Sequence, residues 1–279
     1  MRATSESNPR RLSLVTNGNP LKEAWNAGRA VFGLWAGIPN SFVAELLAGT
    51  GVDYVCVDQQ HGLIGYDAAV PMFQAAENAG AAPITRVLSN DPYRIMKALD
   101  AGAWGVIVPL VNDAEEVARA VAACRYPPRG MRSYGPIRAS AVIGSADPED
   151  LDREAICLVM VETKQALERV EEISATPGVD GIYIGPSDLA LSLGLSPTLS
   201  IQEGEHARAI HRIKEACHEH GIAAGIHSPD GGWARRHAED GFDMVTVATD
   251  AALLRGAALR ELDAARGGRA GSGKGNLGD

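Results

Sequence analysis

Two carboxylates and an arginine carry the most suggestive chemistry in this chain. Glu162 closes the run ICLVMVE, and Asp188 follows the run GIYIGP, each beside a stretch of apolar residues. Paired carboxylates so placed suit a hard divalent ion, Mg2+ or Mn2+ before a thiolate-seeking metal, with Co2+ or another divalent ion still open. An ion held by only two protein ligands leaves room for a bidentate guest, such as the carboxylate and carbonyl of a 2-keto acid. The same residues also suit helix starts, because Glu162 precedes Thr163 and Asp188 follows Ser187, and acids are common there. Spacing alone leaves both readings open. Arg86 ends the run APITR. Its guanidinium stays charged, and it fits either a keto or enolate oxygen or an ion pair with Asp91 or another nearby carboxylate. His61 stands three residues after Asp58 in VDQQHG. It titrates near neutrality and suits a general base, although a lone histidine reads first as a hydrogen-bonded loop residue.

These groups share a placement, and the placement points to the elements beneath them. Short apolar runs rich in β-branched residues recur at 31–36, 53–58, 82–87, 104–110, 156–162, 181–186, 222–228 and 243–248. They are continuous rather than alternating, as strands buried on both faces of a parallel sheet are. Helix-like stretches lie between them at 40–49, 67–79, 92–101, 113–123, 164–175, 186–193, 204–220 and 231–240. This rhythm predicts an α/β fold, a closed (β/α)8 TIM barrel, whose chemistry sits at the C-terminal rim of the strands. An open doubly wound sheet is the rival. It calls for a glycine-rich phosphate turn after its first strand, and GLWAGIPN holds no GxGxxG. On the barrel reading, strand two delivers Asp58, Gln59, Gln60 and His61, strand three Arg86, strand five Glu162, strand six Asp188, and strand seven His227 and Ser228. All would converge on one mouth.

Composition removes other classes. The chain has 279 residues with a net charge of −9, which speaks against a nucleic-acid partner. No apolar run approaches the roughly 20 residues of a membrane span. Its 4 cysteines form no CxxC, so neither a zinc ribbon nor a disulfide framework is indicated, and a cytoplasmic protein is expected. Cys56 and Cys157 read as buried thiols. No GxSxG elbow occurs and no lysine stands within a strand, which disfavours serine hydrolysis and Schiff-base chemistry. His206, His211, His218 and His220 share one polar segment that reads as a solvent-facing outer helix, and His237 reads as surface. Residues 1–20 are expected to form a flexible arm, 21–265 a single barrel domain, and 266–279 a disordered glycine-rich tail.

The strings VDQQHG, ITRVLSNDP, RYPPRGMRS, VETKQALE and GVDGIYIGPSDLALSLG resemble the HpcH/HpaI aldolase family over about residues 20–260. The resemblance implies a barrel of the phosphoenolpyruvate/pyruvate type and a class II, divalent-metal-dependent pyruvate aldolase. It also implies a homo-oligomer built from dimers, up to a hexamer, often with the last helix exchanged between subunits. Carried onto this sequence, Glu162 and Asp188 are the metal ligands, and His61 is the catalytic base with Asp100 as its charged partner. Arg86 binds the pyruvyl oxygen and stabilises the enolate, while Gly185, Pro186 and Ser187 hold the substrate carboxylate. Asp58 and Gln60 stand just behind the ligands. The implied reaction is reversible retro-aldol cleavage of a 4-hydroxy-2-oxo acid to pyruvate and an aldehyde. One departure bears on substrate: Gln60 stands where many such aldolases carry an acid. His227 stands where an apolar residue is common, and it reads equally as a pocket-lining residue and as a rim residue with no catalytic part. Two other readings stay open. One is an acyl-thioester carbon–carbon lyase of the citrate lyase β type, with Arg125, Arg129 and Arg132 as its cationic surface. The other is a non-catalytic pyruvate-binding barrel.

Overall fold

The computed structural model describes residues 18–201 and 203–267. Eight strands close in sequence order into a parallel barrel. They are β1 (Val31–Ala36), β2 (Tyr54–Asp58), β3 (Ala82–Arg86), β4 (Gly105–Val108), β5 (Ile156–Val161), β6 (Gly181–Ile184), β7 (Ala223–His227) and β8 (Met244–Thr249). The helices are α1 (Pro20–Asn26), α2 (Ser41–Ala48), α3 (Tyr66–Asn78), α4 (Pro92–Asp100), α5 (Ala114–Cys124), α6 (Ala139–Ile143) and α7 (Pro148–Glu154). After β5 come α8 (Lys164–Glu168), α9 (Val170–Ser174), α10 (Pro186–Ser192), α11 (Glu205–Glu219), α12 (Gly231–Glu239) and α13 (Asp250–Ala265). Each expected strand is present, trimmed or shifted by a few residues. The helix expected over 164–175 breaks at Arg169 into α8 and α9.

Helix starts follow local chemistry. Asn40, Asp91, Asp113, Thr163, Asp230 and Thr249 each accept an N–H of the first turn through a side-chain oxygen. The expected arm over 1–20 falls mostly outside the described residues, but its last two belong to the fold. Asn19 is buried, and its side chain donates to the carbonyls of Trp104 (3.1 Å) and Glu154 (2.7 Å) while accepting from Leu21 N–H. Nearly all of the expected 266–279 tail also lies outside the described residues.

Aliphatic side chains such as Val106, Val159, Ile182 and Val245 fill the layer between sheet and helices. Larger ones fill the barrel's inside, among them Trp35, Tyr54, Ile84, Ile107, Met160 and Tyr183. Glycine makes room for the tyrosines: a Cβ on Gly33 would lie 2.3 Å from the Tyr54 ring, and one on Gly225 2.7 Å from the Tyr183 ring. The 125–155 connection, with α6 and α7, covers the end where strands begin. There Arg125 pairs with Asp180 (2.9 Å), Arg129 with Asp152 (3.4 Å) and Arg132 with Asp100 (2.7 Å).

Candidate active site

Asp58 ends β2 and Arg86 ends β3, and the two are register partners. Asp58 Oδ1 accepts from Arg86 Nε at 2.9 Å, and Oδ2 accepts from Nη2 at 2.6 Å. Oδ1 also takes the backbone N–H groups of Gln60 (3.1 Å) and His61 (3.3 Å), so this carboxylate fixes both the arginine and the loop after β2. The guanidinium lies 4.5 Å over the Trp35 ring. Burial works against its charge, but the Asp58 contacts outweigh burial and raise its pKa. Its Nη1 meets the Met160 sulfur at 4.0 Å and no oxygen among the described residues. That nitrogen is open to a ligand.

Glu162 follows β5 directly and is 2% exposed. Its Oε1 accepts the N–H of Leu110 at 2.8 Å. Leu110 presents that N–H from a left-handed backbone with φ of 54°, a conformation that costs a non-glycine residue about 1 kcal/mol. Oε2 faces Gly185, where an added Cβ would stand only 2.6 Å away. Gly185 leads into α10, whose first turn carries Asp188 on the exposed side. Burial pushes the Glu162 carboxyl pKa up. The Leu110 N–H opposes that, the negative charge of Asp188 adds to it, and Arg86 opposes it again. A cation between the two carboxylates would relieve both burial and repulsion, and both offer hard oxygen donors. Among the described residues no group of three or more His, Cys, Asp or Glu side chains is arranged to hold a metal. The donor set therefore fits a divalent ion with two protein ligands and places left for water and substrate.

Three expected residues behave differently. His61 is exposed on the loop after β2, and among the described residues its ring makes no hydrogen bond. Asp100 ends α4, where the chain has returned to the side on which strands begin, and Arg132 holds its carboxylate. Within one chain the expected His61–Asp100 pair is therefore not formed. Pro186 carries no N–H, so of the three residues expected around the substrate carboxylate only Gly185 and Ser187 bring donors. Gln60 is half-buried, with its Oε1 sealed and unpartnered among the described residues.

The family model for HpcH/HpaI aldolase/citrate lyase matches residues 31–257. The chain is 41% identical over 248 residues to a hydroxypyruvate/pyruvate aldolase of Rhizorhabdus wittichii, covering 89% of this chain and 99% of that one. The chain belongs to the HpcH/HpaI aldolase/citrate lyase family. It is 38% identical over 245 residues to a 4-hydroxy-2-oxo-heptane-1,7-dioate aldolase of Salmonella typhimurium, covering 86% and 92%. Among solved structures, an HpcH/HpaI aldolase/citrate lyase family protein from Burkholderia cenocepacia superposes with a TM-score of 0.79 at 29% identity, covering 89% and 99%. This HpcH/HpaI member is a carbon–carbon lyase of the aldolase type, and the family is class II, that is, dependent on a divalent metal.

Several contributors to this HpcH/HpaI site were not visible as such in the sequence. Trp35 stands one residue before the end of the first apolar run, and nothing in its residue type marks it as the platform for Arg86. Beneath the mouth, Thr246 Oγ1 bonds both the Tyr54 hydroxyl (3.0 Å) and the Tyr183 hydroxyl, and the latter lies 3.5 Å from His227 Nδ1. Two histidines expected at the surface are buried instead. His206 is fully enclosed and bonds the Pro186 carbonyl at 3.0 Å, tying α11 to the first residue of α10. His237 packs under β7 with Nδ1 3.0 Å from Ser228 Oγ. Each lies on the apolar side of its helix, where position overrides residue type. All four cysteines are buried and unpaired, as expected for Cys56 and Cys157.

Proposed function

We propose that this enzyme reversibly cleaves 4-hydroxy-2-oxo acids to an aldehyde and pyruvate or a simple pyruvate derivative. The observation that carries the reading is the convergence, at one mouth, of Glu162 with Asp188 and the open Nη1 of Arg86. Glu162 and Asp188 would hold Mg2+ or Mn2+. When bound, such an ion polarises the 2-keto group as a Lewis acid. The chain's own residues do the rest. Gly185 and Ser187 N–H groups meet the substrate carboxylate at the start of α10. Arg86 Nη1 donates to the 2-oxygen and strengthens that bond as enolate charge grows there. His61 takes the proton of the C4 hydroxyl, the C3–C4 bond breaks, and the aldehyde departs. Protonation at C3 then yields the keto acid. Asp58 keeps Arg86 in place throughout.

A second copy completes the machine. On α13, Leu253, Leu254, Leu259 and Leu262 are all exposed, and only Asp250 of that helix is buried. Each such leucine left in water forgoes roughly 1.5–3 kcal/mol of burial, which favours a partner subunit over that face. Association also gives Asp100 its route to a histidine: it can reach the His61 of a neighbouring copy. The assembly is a dimer-based homo-oligomer, up to a hexamer. No helix among the described residues is long and apolar enough to cross a membrane. Four unpaired cysteines accord with a reducing compartment, the cytoplasm.

The acyl-thioester alternative is not favoured. Arg125, Arg129 and Arg132 are each paired with a carboxylate at the end of the barrel opposite the mouth. The deciding experiment is a pyruvate-release assay over a panel of 4-hydroxy-2-oxo acids, with chelator and then with single metals restored. Loss and recovery of turnover are expected. Cleavage at full rate by metal-free protein would sink the reading, and pyruvate binding without turnover on any substrate would favour a binding barrel.

A further inference from the structure

His227 ends β7 and points into the same mouth, edge-on to Trp35 at a ring-centroid distance of 5.0 Å. Beneath it the Tyr183 hydroxyl lies 3.5 Å from Nδ1. That hydroxyl and the Tyr54 hydroxyl both bond Thr246 Oγ1, and the two tyrosine hydroxyls also meet one another, so this buried cluster serves Nδ1 and leaves Nε2 over. Burial, reinforced by the nearby Arg86, lowers the His227 pKa to about 4, so the ring is neutral at physiological pH.

Nε2 has no partner among the described residues and, unlike the indole N–H of Trp35, is not sealed from solvent. An inward side chain at the end of a barrel strand is reached from the mouth. The site thus shows a neutral ring nitrogen on its β7 wall, where nothing in the protein uses it. On the proposed function, which this inference rests on, the substrate carboxylate lies toward Gly185 and Ser187 and the 2-oxygen toward Glu162, Asp188 and Arg86. C3 of the keto acid is then left facing the β7–β1 wall, that is, His227 and Trp35.

We propose that His227 Nε2 hydrogen-bonds a hydroxyl on C3 of the keto acid, making this residue the determinant that favours 3-hydroxylated donors over pyruvate. A ring nitrogen that meets a hydroxyl with one donor and not the other discriminates by about the value of that hydrogen bond, on the order of tenfold.

The test compares kcat/KM for hydroxypyruvate and for pyruvate with one common aldehyde and a divalent metal supplied. Wild type, His227→Leu and His227→Gln are measured side by side. In His227→Leu the hydroxypyruvate-to-pyruvate ratio should fall about tenfold, while His227→Gln, which keeps an N–H donor, should hold most of it. An unchanged ratio in His227→Leu, or equal losses for both donors, would overturn the assignment. Calorimetric binding of each keto acid reads the same ratio without turnover. Absent turnover would therefore count against the proposed function, while the binding ratio would still decide the role of His227.

Discussion

Asp58 and Arg86 sit opposite each other on adjacent strands, and their side chains meet again in a two-pronged contact of 2.9 and 2.6 Å at the barrel mouth. The strand register thus aims the guanidinium, and the carboxylate leaves Nη1 as the nitrogen without an oxygen partner among the described residues, the one proposed to meet substrate. Arg86→Lys keeps the charge but loses the fork and the flat face on Trp35. It should lower kcat/KM by about 10²–10³-fold. Asp58→Asn should lower kcat with a smaller change in KM, because the arginine stays but loses its aim. Steady-state kinetics on protein with a wild-type circular dichroism spectrum would check both, and a wild-type kcat in Asp58→Asn would refute the positioning role.

Glu162 ties the proposed metal site to stability. Burial raises its pKa, so the folded metal-free protein holds that proton more tightly than the unfolded chain. Its contribution is therefore full below the ordinary value of 4.5 and is lost as pH rises through the raised folded value. With chelator present, wild-type Tm should decline over that window, and Glu162→Gln should decline less. Excess divalent ion should restore the wild type and leave Glu162→Gln unmoved. Parallel curves with and without metal would rule the pair out as ligands.

His61 and Asp100 are separated within the chain, which makes a mixing experiment decisive. His61→Ala and Asp100→Asn should each be nearly inactive alone. Hybrids formed by co-refolding equal amounts should recover up to about a quarter of wild-type turnover, since some sites then combine an intact His61 with an intact Asp100 from another copy. No recovery in hybrids verified by mass spectrometry would exclude a shared site.

The exposed leucines of α13 give a further handle. Leu254→Glu together with Leu259→Glu should shift the species seen by light scattering toward monomer and lower activity in parallel. A monodisperse wild-type assembly that tolerates both changes would show that α13 packs elsewhere.

Much of this arrangement could be read before any coordinates. Continuous apolar runs at eight places dictated parallel strands, and polar residues at their ends marked the rim, because strand burial and strand polarity leave strong local signals. Asp58, Arg86, Glu162 and Asp188 were found that way. What escaped was non-local. His206 and His237 look like surface residues until the apolar side of each helix is known. Asn19 reaching Glu154 depends on a contact across more than a hundred positions, and helices α6 and α7 lie in a connection without periodicity. Trp35 sits inside an apolar run and reads there as one more core residue. Asp100 was named by family likeness, and its remoteness from His61 became visible only when the barrel's two ends were told apart.

The absent side chain at position 185 has a consequence for how this enzyme can diversify. Any substituent there drives into Glu162 Oε2, so the grip on the keto-acid end tolerates no tinkering from that strand. Novel aldehydes must instead be accommodated by side-chain changes along the rim segments after β2 and β4, whose backbones Asp58 and Glu162 already tie down. Directed evolution libraries should leave residue 185 untouched and spend their diversity on those two loops.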